Sequence, residues 1–164
     1  MFILSHFKWI HLCILMAPFV FVSSGAAADV EKQAGAEESD PRNKIFLFGG
    51  NTQDGSENGV SVGLEYEYAL TRYFGLGGLL EYAGGDFDSW VLGVPIFVHP
   101  YRGLFFTAAP GVEFEDGDTN FLLRIGVGYE LEFLPRWSIA PEFNVDFSDG
   151  DTKLVYGLTL SWAF

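Results

Sequence analysis

The chemically capable residues of this sequence are mostly carboxylates in a regular setting. Glu65, Glu67, Glu81, Glu113, Glu130, Glu132, Glu142 and Asp146 alternate with apolar residues, and the cations in the same phase are Arg124 and Lys153. Isolated carboxylates removed from water are costly, so such a set must be paired, hydrated, protonated or bound to cations. Two readings follow: a polar network filling a narrow interior, or a wet path that attracts cations and repels anions. Glycines in the same phase, such as Gly63, Gly75, Gly126 and Gly128, either leave space for such a path or let strands bend. Asp116-Gly117-Asp118 and Asp149-Gly150-Asp151 set hard oxygen ligands on tight turns, which makes Asp116, Asp118, Asp149 and Asp151 weak candidates for calcium or magnesium. Asp-Gly is also a common hairpin turn, which accounts for both motifs without a metal. His99 stands in the polar turn His99-Pro100-Tyr101-Arg102 with no neighbouring serine, so a solvated turn residue is expected rather than a general base. No catalytic residue and no cofactor is expected.

The elements that must carry these residues are strands. In residues 59–70 Val60, Val62, Leu64, Tyr66, Tyr68 and Leu70 alternate with Ser61, Gly63, Glu65, Glu67 and Ala69, the period that sends successive side chains to opposite faces. Residues 121–133, 137–147 and 153–164 repeat the pattern; 73–83, 89–99 and 104–115 do so less strictly, and the short run 44–50 makes eight. Segments of about 10 residues suit a tilted bilayer crossing. Their even number and short connections predict an all-β, eight-stranded antiparallel up-and-down transmembrane barrel over 44–164. Closure is required, because an open edge in lipid leaves unpaired backbone groups in hydrocarbon.

The N-terminus reads as a targeting segment. A short positive start, an apolar run over 9–22 and the small residues Ser23 to Ala28 predict a signal peptide over 1–28, cleaved after Ala28. Residues 29–43 are acidic and aperiodic and read as a flexible periplasmic lead-in. Cys13 leaves with the signal, so thiolate metal sites and disulfides are excluded from the mature chain.

Aromatic positions decide which face points outward. Tyr82, Trp90, Phe114, Phe121 and Phe147 fall near one set of strand ends, and Tyr68, Phe74, Phe133, Trp137, Trp162 and Phe164 near the other. Two belts flanking an aliphatic band match two membrane interfaces, which puts the carboxylates inside. The shorter connections, at 71–72, 99–103 and 134–136, are the expected periplasmic turns and carry Arg72, Arg102 and Arg136. The opposite connections carry Asp54, Glu57, Asp86, Asp88, Asp116, Asp118, Asp149 and Asp151. Pro95, Pro110 and Pro141 fall inside strands, where each removes a ladder donor; bulges are expected there, with slipped faces beyond them.

Residues 44–164 resemble, by pattern, the small eight-stranded outer-membrane barrel superfamily. The final strand LVYGLTLSWAF is the most specific feature: its alternation and terminal Phe164, with Trp162, look like the signal read by the barrel-assembly machinery. The resemblance implies insertion in the outer membrane of a Gram-negative cell envelope, with periplasmic chaperones and the assembly machinery as partners during biogenesis and outer-membrane lipids and lipopolysaccharide afterwards. A monomer is expected. The superfamily includes anchors, porin-like pores, adhesins and lipid A enzymes, so it fixes no activity. The paired histidine–serine motif of the lipid A enzymes is absent here, the outer loops are short for adhesion, and a net charge of -13 repels nucleic acid. The sequence therefore predicts a non-enzymatic structural component of the outer membrane. A narrow cation or small-solute pore is the first alternative, and a lipid A-modifying surface enzyme the second.

Overall fold

The computed structural model describes residues 41–164; the signal peptide expected over 1–28 and the expected lead-in before Pro41 lie outside the described residues. Alternation folds as anticipated, into strands β1 (Asn43–Asp54), β2 (Glu57–Ala69), β3 (Phe74–Ala83), β4 (Ser89–Gly93 with Ile96–Tyr101), β5 (Leu104–Glu115), β6 (Asp118–Tyr129 with Leu131–Leu134), β7 (Trp137–Ser148) and β8 (Asp151–Ala163). Each pairs antiparallel with its sequence neighbours, and β8 closes on β1 from Lys44↔Ala163 to Gln53↔Leu154. Closure leaves no strand edge, the condition that hydrocarbon imposes.

β1 runs well past the expected 44–50. Its pairing with β2 continues to Asp54↔Glu57, leaving Gly55-Ser56 as the whole connection. The extension is polar and lacks the apolar alternation that marks a strand. Thr52 and Ser61 hold it from inside through a 2.5 Å hydroxyl–hydroxyl hydrogen bond.

The strand prolines interrupt the ladder without shifting it. Leu79 pairs with Gly93 before Pro95 and Leu76 with Ile96 after it, at one offset; Pro110↔Leu123 and Leu158↔Pro141 also sit in unbroken registers. The expectation of bulges and slipped faces there is corrected. Extended backbone accommodates the proline ring, only a donor is lost, and Pro95 and Pro110 still accept through their carbonyls from Gly77 and Val94 at 2.9 Å. The two register shifts fall toward the end that carries Arg72, Arg102 and Arg136, between Val98 and Tyr101 and between Glu132 and Leu134.

The outward face carries Val60, Leu64, Leu92, Ile125 and Leu158, all exposed. Belt rings Trp90, Phe114, Phe121 and Phe147 stand exposed toward one end, and Tyr68, Phe74, Phe133, Trp137, Trp162 and Phe164 toward the other. The core is the barrel interior. Phe46, Phe97, Phe105 and Ala140 form one buried cluster, and Leu79, Val91, Ala109 and Leu122 another.

Candidate functional site: the barrel interior

Alternation sends the carboxylates inward, and the interior pairs most of them. Arg124 on β6 is the hub. Its Nε donates to Asp146 Oδ1 at 2.6 Å and its Nη1 to Glu81 Oε2 at 2.7 Å, with the second nitrogen, Nη2, bonding both carboxylates again. Asp146 is the direct cross-strand partner of Arg124, whereas Glu81 reaches it from β3. All three side chains are at most 3% exposed, and one planar cation gives each carboxylate two charge-assisted hydrogen bonds.

Above this hub, toward the acidic connections, Lys153 Nζ donates to Glu113 and to Glu115, each at 2.8 Å. Phe87, from the connection between β3 and β4, turns inward and is buried with its ring 5.0 Å from that ammonium. Below the hub, Phe46 stacks on Phe97 with centroids 5.6 Å apart and tilts against Phe105 at 6.5 Å. At the mouth on the side of the arginine-bearing turns Lys44 donates to both oxygens of Glu130, at 2.9 and 3.0 Å, and His99 Nε2 lies 2.8 Å from Glu67 Oε1.

Most of the sequence-identified lumen residues thus converge, with three departures. Glu132 pairs with inward-facing Ser138 but is exposed at the mouth rather than enclosed. Glu65 and Glu142 are half-buried and lie within electrostatic reach of Arg124, yet among the described residues neither makes an ion pair within 4.0 Å. His99 is not a solvated turn residue: it lies within β4, stacks near Phe97 at 6.3 Å and is held by Glu67. Its ring shares the inward phase of Val91, Gly93, Pro95 and Phe97, and that alternation was the signal available in the sequence.

Sequence reasoning also missed the aromatic plug. Phe46, Phe97 and Phe105 share the inward phase with small and polar residues, and that phase was the signal available. At two inward glycines a neighbouring ring takes up the space of the missing Cβ. A Cβ on Gly128 would meet the Phe105 ring, with Cε1 at 2.6 Å, and one on Gly157 would lie 2.8 Å from the Phe48 ring. Two adjoining cavities of about 510 and 680 Å³ lie at that same mouth; they share Pro41, Lys44, Arg102 and Gly103 among their lining residues.

The acidic turns are explained by backbone geometry. Asp116 and Gly117 have φ of 51° and 90°, and Asp149 and Gly150 have 41° and 97°, the left-handed pair that a two-residue hairpin loop with the sheet's own twist demands. Among the described residues no group of three or more His, Cys, Asp or Glu is placed to hold a metal ion.

Every strand is paired and the apolar face points out, so bulk water is the wrong solvent for this barrel and a bilayer the right one. The class is the integral, membrane-spanning eight-stranded β-barrel. The chain is similar in structure to the N-terminal β-barrel domain of Pseudomonas aeruginosa OprF, with a TM-score of 0.60 and 15% identity over 77% of this chain and 100% of that one. It is also similar to Neisserial surface protein A, with a TM-score of 0.57 and 9% identity over 74% of this chain and 96% of that one. Ail, the attachment invasion locus protein of Yersinia pestis, solved with the heparin analogue sucrose octasulfate, gives 0.56 and 11% over 77% and 100%. Identities this low carry the fold alone. No protein-family model matches the chain, and no curated protein sequence matches it.

Proposed function

We propose that the chain is a non-catalytic structural component of the outer membrane, a barrel sealed by its own side chains. The observation that carries this reading is the Arg124–Glu81–Asp146 cluster lying directly above the Phe46–Phe97–Phe105 plug, each fully buried. An ion would have to break bidentate charge-assisted bonds and then displace packed rings. Catalysis is not part of the reading: His99 is held by Glu67, and Thr71 Oγ1, in the adjacent turn, accepts from the backbone N–H groups of Tyr73 and Phe74. The partners in this reading are periplasmic chaperones and the barrel-assembly machinery, reading exposed Trp162 and Phe164, and then membrane lipid and lipopolysaccharide around a monomer. Recognition of a heparin-like polyanion at the outer loops does not suit this chain, whose outer connections are acidic.

The second reading is a narrow cation path, favoured by one observation: Glu65 and Glu142 stand inward without an ion pair among the described residues. Planar-bilayer recording on the refolded mature protein in potassium chloride separates the two. Silence from a barrel that still shifts on heating supports the sealed component. Discrete cation-selective steps that fade on acidification would replace it with the path.

A further inference from the structure

We infer that the periplasmic turns form a collar that binds the phosphodiester headgroups of anionic glycerophospholipids in the inner leaflet of the outer membrane. The inference rests on the reading that the chain spans the bilayer with these turns toward the periplasm. Every one of the three turns sets an arginine next to an exposed ring: Arg72 with Tyr73, Arg102 with Tyr101, and Arg136 with Trp137. The Arg72 guanidinium lies 4.3 Å from the Tyr73 ring centroid and hydrogen-bonds its hydroxyl. Trp137 stacks on Trp162 at 6.1 Å, and Trp162 on Phe164 at 4.8 Å, so the third arginine adjoins a ladder of belt rings.

Depth is what makes this a lipid surface rather than a scatter of charge. Aromatic belts settle at the headgroup level, and turns this short keep each arginine within a residue of an exposed ring. Gly103 at φ 74° and Arg136 at φ 69° fix two of the turns in tight geometry. A guanidinium at that depth can take a phosphodiester bidentately while its stem covers the apolar region below. The opposite end has the reverse chemistry: Tyr82 there donates to Asp88 at 2.7 Å, and each connection presents carboxylates that repel anionic headgroups. Attraction to an anionic leaflet is roughly fivefold per arginine near the surface, so Arg72 and Arg102 on one rim give a preference that is readily measured.

The test folds the mature protein into vesicles of equal phosphatidylethanolamine and phosphatidylglycerol, then identifies lipids retained on detergent release by native mass spectrometry. Retained lipid is expected to be severalfold enriched in phosphatidylglycerol. In R72Q/R102Q the enrichment should fall to near the vesicle ratio while the barrel stays heat-modifiable, and D116N/D149N should keep it. No enrichment in the parent, or enrichment unchanged in R72Q/R102Q, overturns the collar. Orientation is read separately with S56C and a membrane-impermeant maleimide on intact cells. Labelling of intact cells supports the assignment of leaflet. Labelling only after the outer membrane is permeabilised overturns both that assignment and the orientation beneath it, whereas labelled cells with unselective lipid binding would remove the collar alone.

Discussion

Arg124 and Glu81 meet across the lumen, Nη1 to Oε2 at 2.7 Å, although they stand three strands apart in the barrel and forty-three residues apart in the chain. Both are almost wholly buried. Their contact, with Asp146 beside it, bridges the barrel at mid-height and crosses the route any ion would follow.

Removing the cation alone should be severe. Arg124→Met leaves Glu81 and Asp146 buried without a counter-charge, and breaking one side of such a cluster costs about 3–5 kcal/mol. Urea unfolding in vesicles is expected to show that loss. The triple change R124M/E81Q/D146N should recover most of it, because the buried charges go together.

The plug makes a packing prediction. Phe46→Ala removes the ring stacked on Phe97 and should cost about 3–5 kcal/mol, whereas Phe46→Leu, which keeps most of the volume, should cost far less. With Arg124, Glu81 and Asp146 intact, bilayers containing Phe46→Ala are expected to remain electrically silent.

Two glycines of β1 and β8 should behave oppositely. A Cβ at Gly157 would lie 2.6 Å from Gly50 Cα and 2.8 Å from Phe48 Cε2, while one at Gly49 meets nothing within 4 Å. Gly157→Ala is expected to reduce the fraction that reaches the heat-modifiable form, and Gly49→Ala to leave it unchanged.

The acidic turns supply the fourth test. Gly150→Val forces a β-branched residue into φ 97° and should destabilise the β7–β8 hairpin, whereas Asp149→Asn, a residue equally suited to that turn, should be neutral. Thermal melts with and without millimolar calcium are expected to coincide for parent and Asp149→Asn alike. A calcium-dependent rise that vanishes in Asp149→Asn would restore the metal reading of those turns.

Much of the fold was legible because period-two alternation is a local property. Val60 to Leu70 against Ser61 to Ala69 fixes two faces without reference to any other strand. Closure followed because lipid tolerates no open edge, and the two aromatic belts told which face was out. β1 was underestimated since its second half is held by Thr52 and Ser61 rather than by apolar residues. A strand proline costs a donor but not the register, because in-register pairs on both sides of Pro95 hold the ladder in place.

The sequence by itself determined the strands, their number, the inward phase of the carboxylates, and an end-to-end charge asymmetry written in the turns. Only the tertiary structure decided who meets whom inside. Which carboxylate Arg124 binds, whether His99 is solvated or held by Glu67, and whether an inward glycine is a gap or a seat for Phe105 all depend on the offset between strands far apart in the chain. Side-chain phase is set by each residue's neighbours, but contact across a lumen is set by the stagger with which the whole sheet closes.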